Sequence, residues 1–347
     1  MPRQPMTTGT KEKIRGRWAP TPSGELHVGN ARTALAAWLS IRRQNGVFVW
    51  RLEDLDGPRT VPGMAEAGEH DLRWLGLDWD EGPGAGYETS GPFAPYVQSQ
   101  RGELYDRALE SLAAQDRLFP CRLSRADLKS LATAPHGKPG LPPYPAHLRP
   151  DQLGNDWFAK LRGTQRPDAA LRFKVSDQPV TFQDAVYGEI TERVDQEVGD
   201  FVLKRRDGLF AYQLAVVVDD LAMDIHEVVR GRDLLDSTAR QIQLAQALGG
   251  EPPSYAHLPL ILNADGEKLS KRDNGLTLRA LREDGTSPEQ LVGYLAWSLG
   301  LVESPAPRKP VDLVQDFNWN RVLRNDWTLP SKLSFPFDAE ETARLER

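Results

Sequence analysis

A single cysteine, Cys121, stands in a chain of 347 residues. No intrachain disulfide can form, and a reducing, cytoplasmic setting is expected. Long apolar runs are also missing. No stretch approaches the roughly 20 residues of a membrane-spanning helix, so no membrane partner is expected. Residues 1–13 lack the apolar centre of a secretory signal and read as a disordered tail. A surplus of positive charge is absent as well. The 43 Lys and Arg against 49 Asp and Glu leave a net charge of −6. That balance argues against a general nucleic-acid coat protein but leaves room for a local basic face. The clusters Arg42-Arg43, Lys204-Arg205-Arg206 and Arg122, Arg125 and Lys129 read as solvated helix ends or turns. No internal repeat is present. Gly82-Pro83-Gly84-Ala85-Gly86 has neither the Walker spacing nor a GxGxxG, and reads as a surface turn.

What is present suits a two-lobed enzyme. A chain of this length buries one large core or two modest ones. Arg15 to Pro20 reads as a strand entering a loop, Leu26 to Gln44 as a helix stopped near Asn45-Gly46, and Val47 to Leu52 as a buried strand. Strand, helix, strand opens a parallel α/β sheet. Helices are predicted over Gly63 to Leu75 and Arg101 to Ala114. The character changes between about Leu118 and Asp200, with the Pro-rich stretch Pro135 to Pro150 and a strand at Leu171 to Val175. We divide the chain into a tail (1–13), the first half of a Rossmann-like domain (14–117), an inserted α+β subdomain (118–199), the second half (200–285), and a helical segment with a tail (286–347). In the second half, Phe201 to Lys204 and Leu209 to Val218 flank Arg206-Asp207-Gly208 like a hairpin. Ile225 to Val229 reads as a strand and Ser237 to Leu248 as a helix. Ser287-Pro288-Glu289-Gln290 carries a full helix-start signal. The stretch after Val302 shows little periodicity.

Two distant segments carry chemistry. His27-Val28-Gly29-Asn30 places an imidazole and a glycine at a helix mouth, where free N–H groups and the dipole suit ATP phosphates. The glycine leaves room for a flat ring. The imidazole can donate to phosphate oxygens as charge builds. Pro20, Pro22 and Gly24 shape the loop before it. Lys268-Leu269-Ser270-Lys271-Arg272 is a basic loop after the turn Asp265-Gly266, and such a lysine pair can close over a triphosphate. Each segment alone is no more than an ordinary surface feature. Together they suggest adenylation of a carboxylate.

With these segments the chain resembles the class I aminoacyl-tRNA synthetases of the glutamate type. The His27 segment resembles the HIGH signature and Lys268 to Arg272 the KMSKS signature. Arg51 to Asp56, Trp74 to Pro83 and Gln98 to Arg101 are further likenesses, in the right order between Arg15 and Leu299. Arg205 to Asp220 is similar to the version found in a truncated branch, the glutamyl-queuosine tRNA(Asp) synthetases. The resemblance implies a Rossmann-like catalytic domain, an inserted acceptor-binding subdomain and a short helical C-terminal segment. The stretch beyond Leu299 is shorter than the roughly 100 residues of an ordinary domain, so no anticodon-binding domain is expected.

The resemblance also implies a glutamate pocket. Arg17 and Arg230 correspond to arginines that pair with glutamate carboxylates through forked hydrogen bonds, Glu53 to the carboxylate that holds the ammonium, and Tyr212 to a pocket phenol. Trp18, Ala19, Pro20 and Thr21 correspond to the pocket loop, with Thr21 in place of the usual Ser. His27, Gly29, Asn30 and Lys271 are the expected ATP contacts, and His27, Lys268 and Lys271 the catalytic groups, with MgATP as substrate. The branch often holds zinc through Cys-x-Cys, Tyr and Cys. Here Leu123 and Leu148 replace two of those cysteines, leaving Cys121 and Tyr144, with His136 and His147 as the only nearby substitutes. No zinc is expected. The implied partners are L-glutamate, ATP and the anticodon stem-loop of tRNA(Asp), with queuosine as acceptor and the enzyme a monomer. The alternatives are a minimal glutamyl-tRNA synthetase charging a 3′ end and a non-catalytic tRNA-binding paralogue.

Overall fold

The computed structural model describes residues 13–83, 89–124, 126–128, 143–154, 156–162, 168–269, 276–329, 333 and 335. The expected opening unit is present as β1 (Arg15–Trp18), α1 (Val28–Arg43) and β2 (Val47–Trp50). β1 and β2 pair in parallel. Gly16 lets the helix settle on the strand, because a Cβ there would stand 2.5 Å from the Ile41 side chain. Next come α2 (Met64–Trp74), the short pair β3 (Gly82–Pro83) and β4 (Thr89–Ser90), and α3 (Gly102–Ala114).

The middle of the chain contains β5 (Leu118–Cys121), α4 (Trp157–Arg162), β6 (Ala170–Phe173), β7 (Val180–Asp184), β8 (Gly188–Glu192), α5 (Val194–Glu197) and β9 (Phe201–Lys204). After these come α6 (Tyr212–Ala222), β10 (Glu227–Gly231), α7 (Thr238–Ala247), β11 (Ser254–Leu258) and β12 (Ile261–Leu262). The last described elements are α8 (Leu278–Glu283), α9 (Pro288–Ser298), α10 (Pro310–Leu313) and β13 (Trp327–Thr328). The predicted capping box at Ser287 and Gln290 forms. No helix among the described residues is long and apolar enough to cross a membrane.

The main sheet has the order β2-β1-β10-β11-β7-β8. All neighbours are parallel except the edge strand β8. The chain leaves β1 for β2 on one side and returns to β10 on the other, so a topological switch point lies between β1 and β10. Alternation along β2 separates two cores. Phe48 and Trp50 join the cluster with α1 and α9, and Val49 joins the one with α3, α6 and α7.

Two sequence expectations change. Leu209 to Val218 is not the second arm of a hairpin. A single bridge, Lys204 to Phe210, succeeds the turn, and then α6 begins at Tyr212. The run Leu214 to Val218 is buried on every side, and a continuously buried segment has no period to separate helix from strand. Strand membership also crosses the 118–199 division. β7 and β8 extend the main sheet, whereas β9 pairs with β6 and β5 in a separate three-stranded sheet. Among the described residues after Val302 stand α10 and β13, and β13 pairs with β12.

Two adjacent acids end the buried part of α6. Asp219 accepts from Arg101 Nε at 2.6 Å, Gln98 Nε2 at 2.8 Å and the Tyr105 hydroxyl at 2.9 Å, and is wholly buried. Asp220 accepts from Arg51 at 2.7 Å and from both ends of the Arg17 fork at 3.2 and 3.3 Å. Removing one partner leaves the other's charge buried and unpaired. Asp219→Ala is expected to destabilise the fold by about 3–5 kcal/mol in urea unfolding. A loss under ~1 kcal/mol, the range of exposed pairs, would show that Arg101 finds water instead.

Candidate active site

At the carboxyl ends of β1 and β10 lies a cavity of about 540 Å³. Arg17, Trp18, Ala19, Pro20, Thr21, His27, Gly29, Asn30, Glu53, Tyr212, Arg230 and Lys268 all line it. The two sequence segments thus meet, although more than 200 positions separate His27 from Lys268. Lys271 and His136 lie outside the described residues.

His27 is the N-cap of α1. Its Nδ1 accepts from Gly29 N–H at 3.1 Å and Asn30 N–H at 3.4 Å, and Asn30 Oδ1 accepts from His27 N–H at 3.1 Å. Two of the helix's first N–H groups are therefore taken by this imidazole rather than held open for a phosphate, which corrects the sequence expectation. An Nδ1 that accepts leaves the proton of a neutral imidazole on Nε2. Gly29 makes space for the ring. A Cβ there would lie 3.0 Å from His27 Cε1 and 3.1 Å from Nδ1. The glycine accommodates the ring of His27.

Lys268 forms an ion pair with Asp233 and bridges to Leu262. On the far side of the 270–275 segment, Thr277 bridges to His27 and Leu278 N–H donates to Leu26 C=O at 2.8 Å. Both described flanks of the lysine loop are thus tied to the cavity rim.

The two predicted carboxylate-binding arginines differ. Arg17 is already paired with Asp220. Burial opposes the charge of Asp220, but Arg17 and Arg51 outweigh it and hold the carboxyl below its ordinary range. Arg230, only 4% exposed, donates to three uncharged acceptors: His257 Nε2 at 3.0 Å, Gln241 Oε1 at 2.7 Å and Thr238 Oγ1 at 2.9 Å. No carboxylate lies within ion-pair distance of it among the described residues. Glu53 accepts from Arg51 at 3.0 Å, and burial pushes its carboxyl up. Tyr212 is 37% exposed, and that exposed part belongs to the cavity wall.

Several residues here escaped the sequence reading. Asp220 and Arg51 hold Arg17 and Glu53. His257, Gln241 and Thr238 hold Arg230. Arg32, in α1, lines the cavity while burial pulls its guanidinium down to about 10. The available signal was two acids, Asp219-Asp220, closing an apolar run, since buried charges require partners.

Away from the cavity, Cys121, Leu123, Tyr144 and Leu148, the positions that the family resemblance relates to a zinc site, lie together. They form a small apolar cluster with Phe119 and Leu128. Cys121 Sγ lies 3.8 Å from the Tyr144 hydroxyl, which donates to Leu148 C=O at 3.2 Å. No group of three His, Cys, Asp or Glu is arranged to hold a metal among the described residues. One thiol and a phenol facing leucines do not fit a structural zinc ion.

A family model described as the catalytic domain of class I tRNA synthetases (E and Q) matches residues 13–310. The chain belongs to that family. This synthetase is similar to a Glutamyl-Q tRNA(Asp) synthetase of Symbiobacterium thermophilum, 48% identical over 322 residues, 91% of this chain and 96% of the relative. The counterpart of the same name in Nitratidesulfovibrio vulgaris is 45% identical, covering 87% and 91%. A Glutamate–tRNA ligase 2 of Syntrophus aciditrophicus is 42% identical, covering 82% of this chain but 57% of its own length. In structure the synthetase is similar to a glutamate tRNA ligase from Elizabethkingia meningosepticum in complex with its amino acid. The TM-score is 0.78 at 30% identity, covering 96% of this chain and 69% of that one.

The tight fit at Gly29 is testable. Gly29→Ala gains helix propensity, about 0.5–1 kcal/mol, and risks a cap of about 1 kcal/mol. Net stability is therefore expected to stay within ~1 kcal/mol. Nitrogen NMR of His27 should still show the ring leaving its Nε2–H tautomer as the cap is lost. A tautomer unchanged in the variant would show that the ring has room.

Proposed function

We propose that this synthetase activates L-glutamate with MgATP, without tRNA, and transfers the glutamyl group to queuosine in the anticodon of tRNA(Asp). In the first step the α-carboxylate attacks the α-phosphorus. Glutamyl-adenylate forms and pyrophosphate leaves. No general base is needed, because the nucleophile is already an anion, so the protein contributes orientation and charge. His27 Nε2–H, Lys268 and Lys271 serve the phosphates. Lys268 must first exchange Asp233 for a phosphate oxygen. Glu53 takes the ammonium, and Tyr212 and the loop Trp18 to Thr21 form the wall. In the second step an acceptor hydroxyl attacks the activated carbonyl. An ester forms, AMP leaves, and the hydroxyl proton is released.

The observation that carries the glutamate reading is Arg230. A buried guanidinium at a cavity wall, bonded only to neutral acceptors, favours an anionic side chain over a neutral amide. Arg17, paired with Asp220, is proposed to contribute through its remaining N–H groups. The queuosine acceptor is supported by relatives named Glutamyl-Q tRNA(Asp) synthetase that are 48% and 45% identical to this chain.

Glutamate-dependent ATP–pyrophosphate exchange without tRNA tests activation, and no exchange would overturn it. Lys271→Ala is expected to abolish exchange with the fold intact by circular dichroism. Retained exchange would remove that residue's assigned role. Charging of queuosine-containing tRNA(Asp) is expected over charging of a tRNA 3′ end, and the reverse would favour a minimal glutamyl-tRNA synthetase.

We also propose that the apolar cluster around Cys121 and Tyr144 takes the place of zinc. A zinc-selective chelator is expected to leave the melting temperature and the exchange rate unchanged. A lower melting temperature on chelation, restored by added zinc, would overturn this.

A further inference from the structure

Arg230 is held from behind by a second layer that the proposed chemistry does not use. His257 on β11 lies between Arg230 on β10 and Asp184 on β7, and its side chain is wholly buried. His257 Nδ1 is 2.6 Å from Asp184 Oδ2, and His257 Nε2 is 3.0 Å from Arg230 Nε. An arginine Nε can only donate, so Nε2 must accept and the ring proton must sit on Nδ1, pointed at Asp184. Asp184 is fixed in turn by N–H groups of Val186 at 3.0 Å, Tyr187 at 2.9 Å and His257 at 3.1 Å. Thr238 closes the ring of contacts, accepting from Arg230 and lying 3.2 Å from His257 Nε2.

We propose that the Asp184–His257 pair is the positioning device of the glutamate-selecting arginine: a neutral imidazole that fixes Arg230 while keeping the carboxylate of Asp184 from cancelling its charge. The inference rests on the glutamate reading above and deepens it. A carboxylate bonded directly to Arg230 would hold it equally well but would satisfy it, as Asp220 does Arg17. An imidazole between them passes on orientation and leaves the cation in need of an anion. His257 is a positioning residue and touches no substrate.

The arrangement works only with His257 neutral. A protonated ring would set Nε2–H against Arg230 Nε–H. Burial lowers the imidazole from its ordinary value of 6.5, the bond to Asp184 opposes that, and Arg230 lowers it further. Asp184 and Asp233 are the acids that face it. Tyr255 stacks beside it on β11, its ring centroid 6.0 Å away, and Thr238 and Gln241 on α7 carry no charge. The imidazole is therefore held below its ordinary value, and only acid protonates it. Glutamate recognition should weaken on that acid side.

The test is glutamate-dependent pyrophosphate exchange by the full chain. His257→Ala is expected to raise KM for glutamate roughly tenfold, with kcat and KM for ATP changing less than about threefold. Its preference for glutamate over glutamine should narrow. His257→Gln, which keeps an acceptor but cannot titrate, should raise KM less and show a smaller acid rise in KM than the wild type, the remainder belonging to Glu53. If His257→Ala fails to fold, the pH profile of His257→Gln decides. An unchanged glutamate KM in His257→Ala, KM values for glutamate and ATP rising together, or an acid rise in His257→Gln as large as that of the wild type would each overturn the inference alone. Wild-type exchange that does not depend on glutamate would overturn the glutamate reading and the inference with it.

Discussion

The buried ion network around Asp219 and Asp220 is the constraint on which the rest of the structure depends. Three arginines, Arg17, Arg51 and Arg101, meet three carboxylates, Glu53, Asp219 and Asp220, almost wholly out of water. Desolvating so many ions is costly and is repaid only when each has a partner in good geometry. Here the partners come from different elements. Arg17 is on β1, Arg51 comes just after β2, Arg101 precedes α3, and both aspartates lie in the last turn of α6. The network can close only when strand, loop and helix are all in register, so it fixes the floor of the cavity as the sheet forms.

That floor explains why the two cavity arginines differ. Arg17 belongs to the network and is largely satisfied by it. Arg230 stands on the neighbouring strand, outside the network, with neutral partners. The switch point between β1 and β10 thus sets a compensated cation beside an uncompensated one. Glu53, Arg17 and Arg230 line one opening, where we propose that they meet the ammonium and the two carboxylates of glutamate. At the same opening lie the His27 cap of α1 and the Lys268–Asp233 ion pair. Lys268 is balanced by a carboxylate and His27 is oriented by backbone N–H groups. Both are thus held in place without a ligand.

Much of the fold was legible in the sequence because its elements are amphipathic or punctuated. α1, α2, α3 and α9 lie within a few residues of their predicted spans, since glycines, Asn45 and the Ser287 cap mark their ends. α6 was misread because a helix buried on all sides shows no polar face. β13 was missed because two residues are too few for any period, and its pairing with β12 depends on Asp326 reaching Leu260 N–H and Arg232. The 118–199 division was drawn at a change in composition, which cannot tell which sheet a strand joins.

The sequence alone determined the chemical inventory: a histidine before a glycine at a helix start, a lysine loop far downstream, an acid and two arginines to go with them. It also showed Leu123 and Leu148 at positions where the family resemblance implies zinc-binding cysteines. Only the tertiary structure decided which charges are spent and which remain for a ligand. Compensation depends on distances of about 3 Å between residues up to 203 positions apart. It was the fold that paired Arg17 with Asp220, set His257 between Asp184 and Arg230, and turned the His27 ring back onto its own helix.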